Sequence, residues 1–210
     1  MADTRQRLMA GALDTVRERG LAGTSARSIA TAAGVNQALV FYHFGSVAEL
    51  VAAACQAATV ERVAAFGARF EAVTDLGQLL TVGRELAAEE RALGNVTVLA
   101  QLLAGAQHDP VYAQASAVAL RLWTEQVEQV LTRLFADSPL IDVLDLPGLA
   151  AALSASFVGL GLYQGVDPAG ADAALAALDR LAVLVELVEG LGPVARRAVR
   201  ARARRAAGGR

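Results

Sequence analysis

The stretch GVNQALVFYHFGS, Gly34–Ser46, sets an Asn-Gln pair ahead of four ring-bearing residues, Phe41, Tyr42, His43 and Phe44. Alanine, leucine, valine and arginine dominate elsewhere. These side chains suit recognition. The Gln37 carboxamide carries a donor and an acceptor that match the N6/N7 edge of adenine, and the Ala38 methyl suits a thymine methyl. The Tyr42 phenol and a His43 ring N–H are donors for phosphate oxygens, contacts that fix register without carrying sequence. Catalytic spacing is missing. There are two histidines, His43 and His108, and no H-x-x-H, G-x-S-x-G, phosphate-loop or paired-cysteine pattern. The expectation is a protein that is not an enzyme, with no metal site and no cofactor.

The elements that must position these residues are helices. Leu8, Met9, Leu13 and Val16 form a stripe at three- and four-residue steps, so a first helix is expected from Asp3 or Thr4 to Arg19, stopped by Gly20. Thr24 or Ser25 caps a second helix, Ala26–Ala33, and Gly34 supplies the left-handed turn that ends it. Asn36 caps a short third helix carrying Gln37 to about His43. Ser46, spaced from Glu49 as in a capping box, starts a fourth over Ala48–Phe70. Ile29, Ala30, Ala33, Val35, Leu39 and Val40 can close a small core across the glycine turn, with Ala30 small enough for a steep crossing. This is helix-turn-helix spacing, in which the second helix lies in a DNA major groove with its N-terminal residues at the base edges.

Beyond residue 50 the pattern remains helical: Asp75 to about Glu90, Ala92–Ala106, Asp109-Pro110 to Phe135, Leu146-Pro147 to about Gly165, and Asp172–Glu189. A loop is expected over Ala136–Asp145 and a turn over Val166–Gly170. No alternating strand pattern or internal repeat is present, so the expected fold class is all-α. The domains expected are 1–47, a three-helix DNA-binding domain; 48–192, a larger helical effector-binding and dimerisation domain; and 193–210, a basic terminus with disorder left open.

Charge divides along the same lines. Residues 1–50 carry five arginines against four acids, +1; residues 51–190 seven against seventeen, −10; residues 191–210 seven against none, +7. All 19 basic residues are arginine. Cys55 is the single cysteine, which excludes an internal disulfide and fits a reducing cytoplasm. The start MADTRQRL lacks the apolar run of a signal peptide. Leu146–Val166 is 21 residues without charge, but Pro147, Ser154, Ser156 and Gln164 interrupt it, and a buried helix is expected there in place of a membrane span.

The stretch Thr24–Leu50, TSARSIATAAGVNQALVFYHFGSVAEL, with a helix of the right length before it, resembles the TetR family of transcriptional regulators. The resemblance lies in a capped helix with an I-A-x-x-A-G-V core, a short recognition helix ending in aromatics, and a serine-capped linker helix. It implies DNA contacts from Thr24, Ser25, Arg27, Asn36, Gln37, Ala38, Phe41, Tyr42, His43 and Ser46, with Arg27 at a position that reaches bases or phosphate. Two residues depart from the family pattern. Phe41 stands where a tyrosine is common, and Val47 where many members carry a phosphate-gripping lysine.

The resemblance further implies a homodimeric repressor in the cytoplasm, released from a palindromic operator by a small molecule. The two most apolar late helices, near 146–165 and 172–189, are hydrophobic on more than one face and would pair with their twins. Asn95, Gln101, His108, Tyr112, Trp123 and Tyr163 are the residues proposed to line an effector pocket. Double-stranded DNA, a second copy and an effector are thus the expected partners. The alternative is a helical ligand-sensing or protein-interaction protein whose DNA-binding motif, with its weakly basic head, has lost grip.

Overall fold

Helix α1 (Ala2–Arg19) turns Leu8, Ala12 and Val16 fully inward, and Gly11 lets the next helix, α2 (Ala26–Ala33), approach at backbone distance. A Cβ on Gly11 would stand 3.0 Å from the Ala33 nitrogen and 3.1 Å from the Ile29 oxygen. The computed structural model describes residues 2–141 and 144–207. Between α1 and α2, Leu21–Gly23 is a single 3-10 turn. There follow α3 (Ala38–Phe44), α4 (Val47–Glu71), α5 (Leu76–Ala92), α6 (Asn95–Gly105), α7 (Pro110–Leu134), α8 (Leu146–Tyr163), α9 (Pro168–Glu189) and α10 (Pro193–Ala207). No strand occurs among the described residues.

The chain divides into two compact units. One comprises Met1–Ala65 and Glu89–Leu122, the other Phe66–Ala88 and Trp123–Arg210. In the first, α1–α3 share a core with the start of α4 and with α6. Leu8, Val16, Ile29, Val40, Leu50 and Val51 are wholly buried there, alongside Val98 and Leu102. Each such side chain contributes about 1.5–3 kcal/mol by leaving water. In the second, Phe66, Phe70, Leu79, Val130, Leu131, Phe135 and Ala150 form the core, with Trp123 edge-on to Phe66 at 6.2 Å between ring centres. Arg133 donates to the Phe70 and Val73 carbonyls, satisfying the end of α4.

The boundaries differ from expectation at four places, each for a local reason. Gly94, at φ 71°, separates α5 from α6, so α6 starts at Asn95 and not at Ala92. Pro168 to Gly170, expected within the turn before the last helix, form the first turn of α9, because Asp167 caps it through the Gly170 N–H and Pro168 fits the first helical position. The basic terminus is helical over Pro193–Ala207; Arg196 ties it to the Asp137 carbonyl at 2.8 Å. The apolar stripe expected in the last helix, Leu175, Leu178, Leu181, Val185 and Val188, does not coincide with the buried positions of α9: Leu181 is 56% exposed, and Ala171 and Ala182 are the buried positions. Of the expected loop, Asp142 and Val143 lie outside the described residues, as do Gly208–Arg210 of the terminus. The division into units cuts the expected 48–192 domain, since α4 gives Leu50, Val51, Ala54 and Cys55 to the first core and Phe66 and Phe70 to the second.

Candidate nucleic-acid interface

The expected recognition residues sit on elements whose ends are chemically closed. Ser25 begins α2 with its Oγ accepting the Ser28 N–H at 3.1 Å while the Ser28 hydroxyl accepts the Ser25 N–H at 2.8 Å. Thr24 donates its hydroxyl to the Gly20 carbonyl at 2.7 Å. Gly34 ends α2 at φ 63°, a conformation that costs a side-chain-bearing residue energy. The carbonyls of Ala33 and Gly34 both accept from Arg7 Nη2, at 2.7 and 3.0 Å. Arg7 therefore braces the turn between α2 and α3 from α1.

At the head of α3, the Asn36 side-chain oxygen accepts the Ala38 N–H at 2.9 Å. Gln37 is the residue at the helix boundary and makes no side-chain cap bond, while the Asn36 acceptor, one residue earlier, is committed to the backbone. Gln37 and Ala38 are exposed beside it. Along α3 the rings part by direction. Val40 is fully buried; Leu39 and Phe44 pack on the same core; Phe41 is 54% exposed and Tyr42 73%. Gln37 and Phe41, and Ala38 and Tyr42, are each four residues apart, so the two adjacent pairs form one continuous outward face. His43 is half-buried, its ring edge-on to Tyr42 at 4.9 Å. Arg5 lies over the Phe44 ring at 4.9 Å. Ser46 caps α4 by accepting the Glu49 N–H at 3.1 Å, and Val47 packs into the core. Arg27 is exposed on α2.

The structure therefore brings Gln37, Ala38, Phe41 and Tyr42 together on one accessible face. Thr24, Ser25, Asn36 and Ser46 bond to helix starts and neighbouring backbone. Arg7 and Gly11 escaped the sequence reading, because their partners lie 26 and 22 residues along the chain.

Of the six expected pocket residues, Asn95, Gln101, His108 and Tyr112 lie in the first unit and Trp123 and Tyr163 in the second. Asn95 accepts from Arg17 Nη2 at 2.9 Å and donates to Glu90 at 2.7 Å; Arg62 in turn pairs with Glu89 and Glu90. Gln101 accepts the Leu21 N–H at 3.3 Å. Tyr112 packs on the first core, and its phenol is pushed up by burial, with Asp109 adding to the shift. His108 is exposed in the turn after α6. In the second unit, Trp123 sits against Phe66 and Phe70, while the Tyr163 hydroxyl donates to Asp167 at 3.3 Å.

Asn95 does line a cavity of about 70 Å³ in the first unit, with Leu13, Cys55, Thr59, Leu102 and Ser116 among its walls. The Ser116 hydroxyl is buried there with no hydrogen-bond partner. Burial pushes the Cys55 thiol up to about 12, against a smaller opposing pull from Arg17. The thiol is therefore neutral at physiological pH. Because its folded pKa exceeds the unfolded one, its contribution to stability is complete below about pH 9 and lost as pH rises towards 12. Among the described residues no His, Cys, Asp or Glu group is arranged to hold a metal.

Residues 8–54 match the family model described as bacterial regulatory proteins, tetR family. Over this domain the chain is similar to the TetR family. Among solved structures, a protein assigned as a transcriptional regulator in Streptomyces coelicolor A3(2) is 27% identical, at a TM-score of 0.65, with 85% of this chain and 98% of that one covered. The multidrug binding protein EbrR, complexed with proflavin, is 28% identical at a TM-score of 0.60, covering 85% and 99%. A TetR-family regulator from a Rhodococcus species shares the fold at 20% identity and a TM-score of 0.72, covering 88% and 99%. No curated protein matches the chain. The fold is thus that of these transcriptional regulators, and α2–α3 lies within the residues that the tetR family model matches.

Proposed function

We propose that the protein is a homodimeric repressor that reads a palindromic operator through α3 and lets go of it when a small molecule binds. The outward face of Gln37, Ala38, Phe41 and Tyr42, set on a core that buries Val40 and packs Phe44 against it, carries this reading. Residues 1–47 do the reading, with Gln37 and Ala38 on bases and Tyr42 and His43 on phosphates. Arg27 adds a contact from α2.

Dimerisation is assigned to α8 and α9. Leu162 and Tyr163 on α8, and Leu181, Val183, Leu184 and Leu187 on α9, leave apolar surface in water. Contiguous patches of this kind mark protein interfaces. Helices α4 and α8 have the length and mean hydropathy to cross a membrane, but α4 supplies both cores and α8 supplies Leu146 and Ala150 to the second. We place the protein in the cytoplasm.

The effector reading is supported by the EbrR–proflavin likeness and by the cavity beneath α1. Leu13 of α1 forms one wall, and Asn95, in another, holds Arg17 of the same helix. A ligand that hydrogen-bonds Asn95, with the Ser116 hydroxyl beside it, competes with the hold on Arg17. It thereby favours a placement of α1 that braces α2 and α3 less well. Such a ligand acts only through its different affinity for the two states. Footprinting on the DNA around the gene tests the reading. The expected result is a two-fold-symmetric protected site with half-site centres about 34 Å apart, or a multiple of it. Protection without symmetry, or none at low salt, contradicts it.

A further inference from the structure

Helix α10 holds the densest charge in the chain, and its arginines divide by face. Arg196 donates to the Asp137 carbonyl at 2.8 Å and pairs with Glu189 at 3.3 Å, while Arg200 donates to the Ser138 carbonyl at 3.3 Å. These two, one turn apart, pin the helix. Arg197, Arg202 and Arg205 are exposed and, among the described residues, have no ion-pair partner. At 3.6 residues per turn they cover about 140° on the opposite side, over about 12 Å of axis. No acid is interleaved with them, although Glu at four-residue spacing would relieve their mutual repulsion.

Residues 1–50 are correspondingly short of free cations. Of the five arginines in residues 1–50, Arg7 braces the glycine turn, Arg17 is held by Asp14 and Asn95, and Arg5 lies over Phe44. Arg19 and Arg27 remain. Val47 adds none at the start of α4, and residues 51–190, at −10, repel DNA. Affinity for a duplex comes largely from phosphates neutralised.

We propose that α10 is a second, sequence-independent DNA contact, in which Arg197, Arg202 and Arg205 grip backbone phosphates. The planar guanidinium matches a phosphate with two parallel hydrogen bonds. A lipid surface fits less well, because apart from alanines the helix offers only Val194 and Val199 to bury in a bilayer interface. The proposal presumes a DNA-binding protein but not operator selectivity.

The test compares the full-length protein with the triple variant Arg197→Ala, Arg202→Ala, Arg205→Ala by fluorescence anisotropy between about 50 and 200 mM salt. The probes are a random-sequence duplex and the DNA upstream of the gene. The three arginines are surface residues, and unchanged helicity by circular dichroism confirms folding. The dependence of log affinity on log salt is expected to become shallower by about two to three per bound protomer on both duplexes. The corresponding triple lysine variant keeps the charges and should keep the slope. Gln37→Ala run in parallel should alter selectivity and leave the random-duplex slope, so failure of the operator reading is separable. An unchanged slope in the alanine variant overturns the proposal. So does an unchanged slope with lost binding to phosphatidylserine vesicles, or with lost self-association, which would assign α10 to a lipid surface or to a second copy.

Discussion

Two surfaces of this chain leave large apolar side chains in water, and they do so with opposite chemistry. On α3, Phe41 and Tyr42 stand out beside a free carboxamide at Gln37 and a methyl at Ala38. On α9, Leu181, Val183, Leu184 and Leu187 stand out, with no aromatic ring in the helix. The first surface mixes ring faces with donors and acceptors, as a partner made of bases, sugars and phosphates requires. The second is aliphatic and offers burial without direction, as a protein interface core requires. Both are backed by tight packing: Val40 lies beneath the first, and Ala171 and Ala182 on the inner side of α9.

The largest expected effect comes from the aliphatic face. Leu184→Arg with Leu187→Arg should convert the dimer to monomer in sedimentation velocity and lower operator affinity by about 100-fold or more, since one half-site then binds alone. A variant that stays dimeric would show that α9 is not the interface. On the other surface, Gln37→Ala should cost about 1–3 kcal/mol, roughly 5- to 150-fold, on the operator and little on a scrambled duplex. An equal loss on both duplexes would demote Gln37 to a phosphate contact.

Smaller effects sharpen the contrast. Arg7→Ala removes the donor to two carbonyls, so unfolding should be easier by about 1–3 kcal/mol in a urea titration, with dimerisation untouched. No loss would mean that the glycine turn needs no brace from α1. Tyr42→Phe removes one hydroxyl from an exposed ring and should weaken operator and scrambled DNA alike, by about two- to tenfold. A selective loss would move Tyr42 to the base-reading set.

The contrast also explains what could be read in advance. The helix-turn-helix was legible because its information is local: Ser25 and Ser46 cap, Gly34 turns, and the spacing of Val40, Phe41, Tyr42 and Phe44 sorts the rings into inner and outer. The direction of α9 was less legible. Its apolar residues occur on every side, so the stripe through Leu175, Leu178 and Leu181 does not single out the buried positions, which are Ala171 and Ala182. Pairings between distant residues were not legible at all. Arg7 with Ala33 and Arg17 with Asn95 are 26 and 78 positions apart, and no periodicity encodes them. Asn95 and Gln101 were expected as pocket residues on polarity alone; one bridges Arg17 to Glu90 and the other holds the Leu21 N–H. Polarity inside a helical core signals a bonding partner, and the partner can be the protein itself.

Selection from a randomised duplex pool tests the central claim most directly, because it presupposes no operator. The wild-type protein should enrich a two-fold-symmetric motif with adenine–thymine pairs at fixed half-site positions, and Gln37→Ala should lose preference at one position in each half-site. Enrichment of no sequence by the wild type, or of an identical motif at equal strength by Gln37→Ala, would contradict the assignment of α3 as the reader.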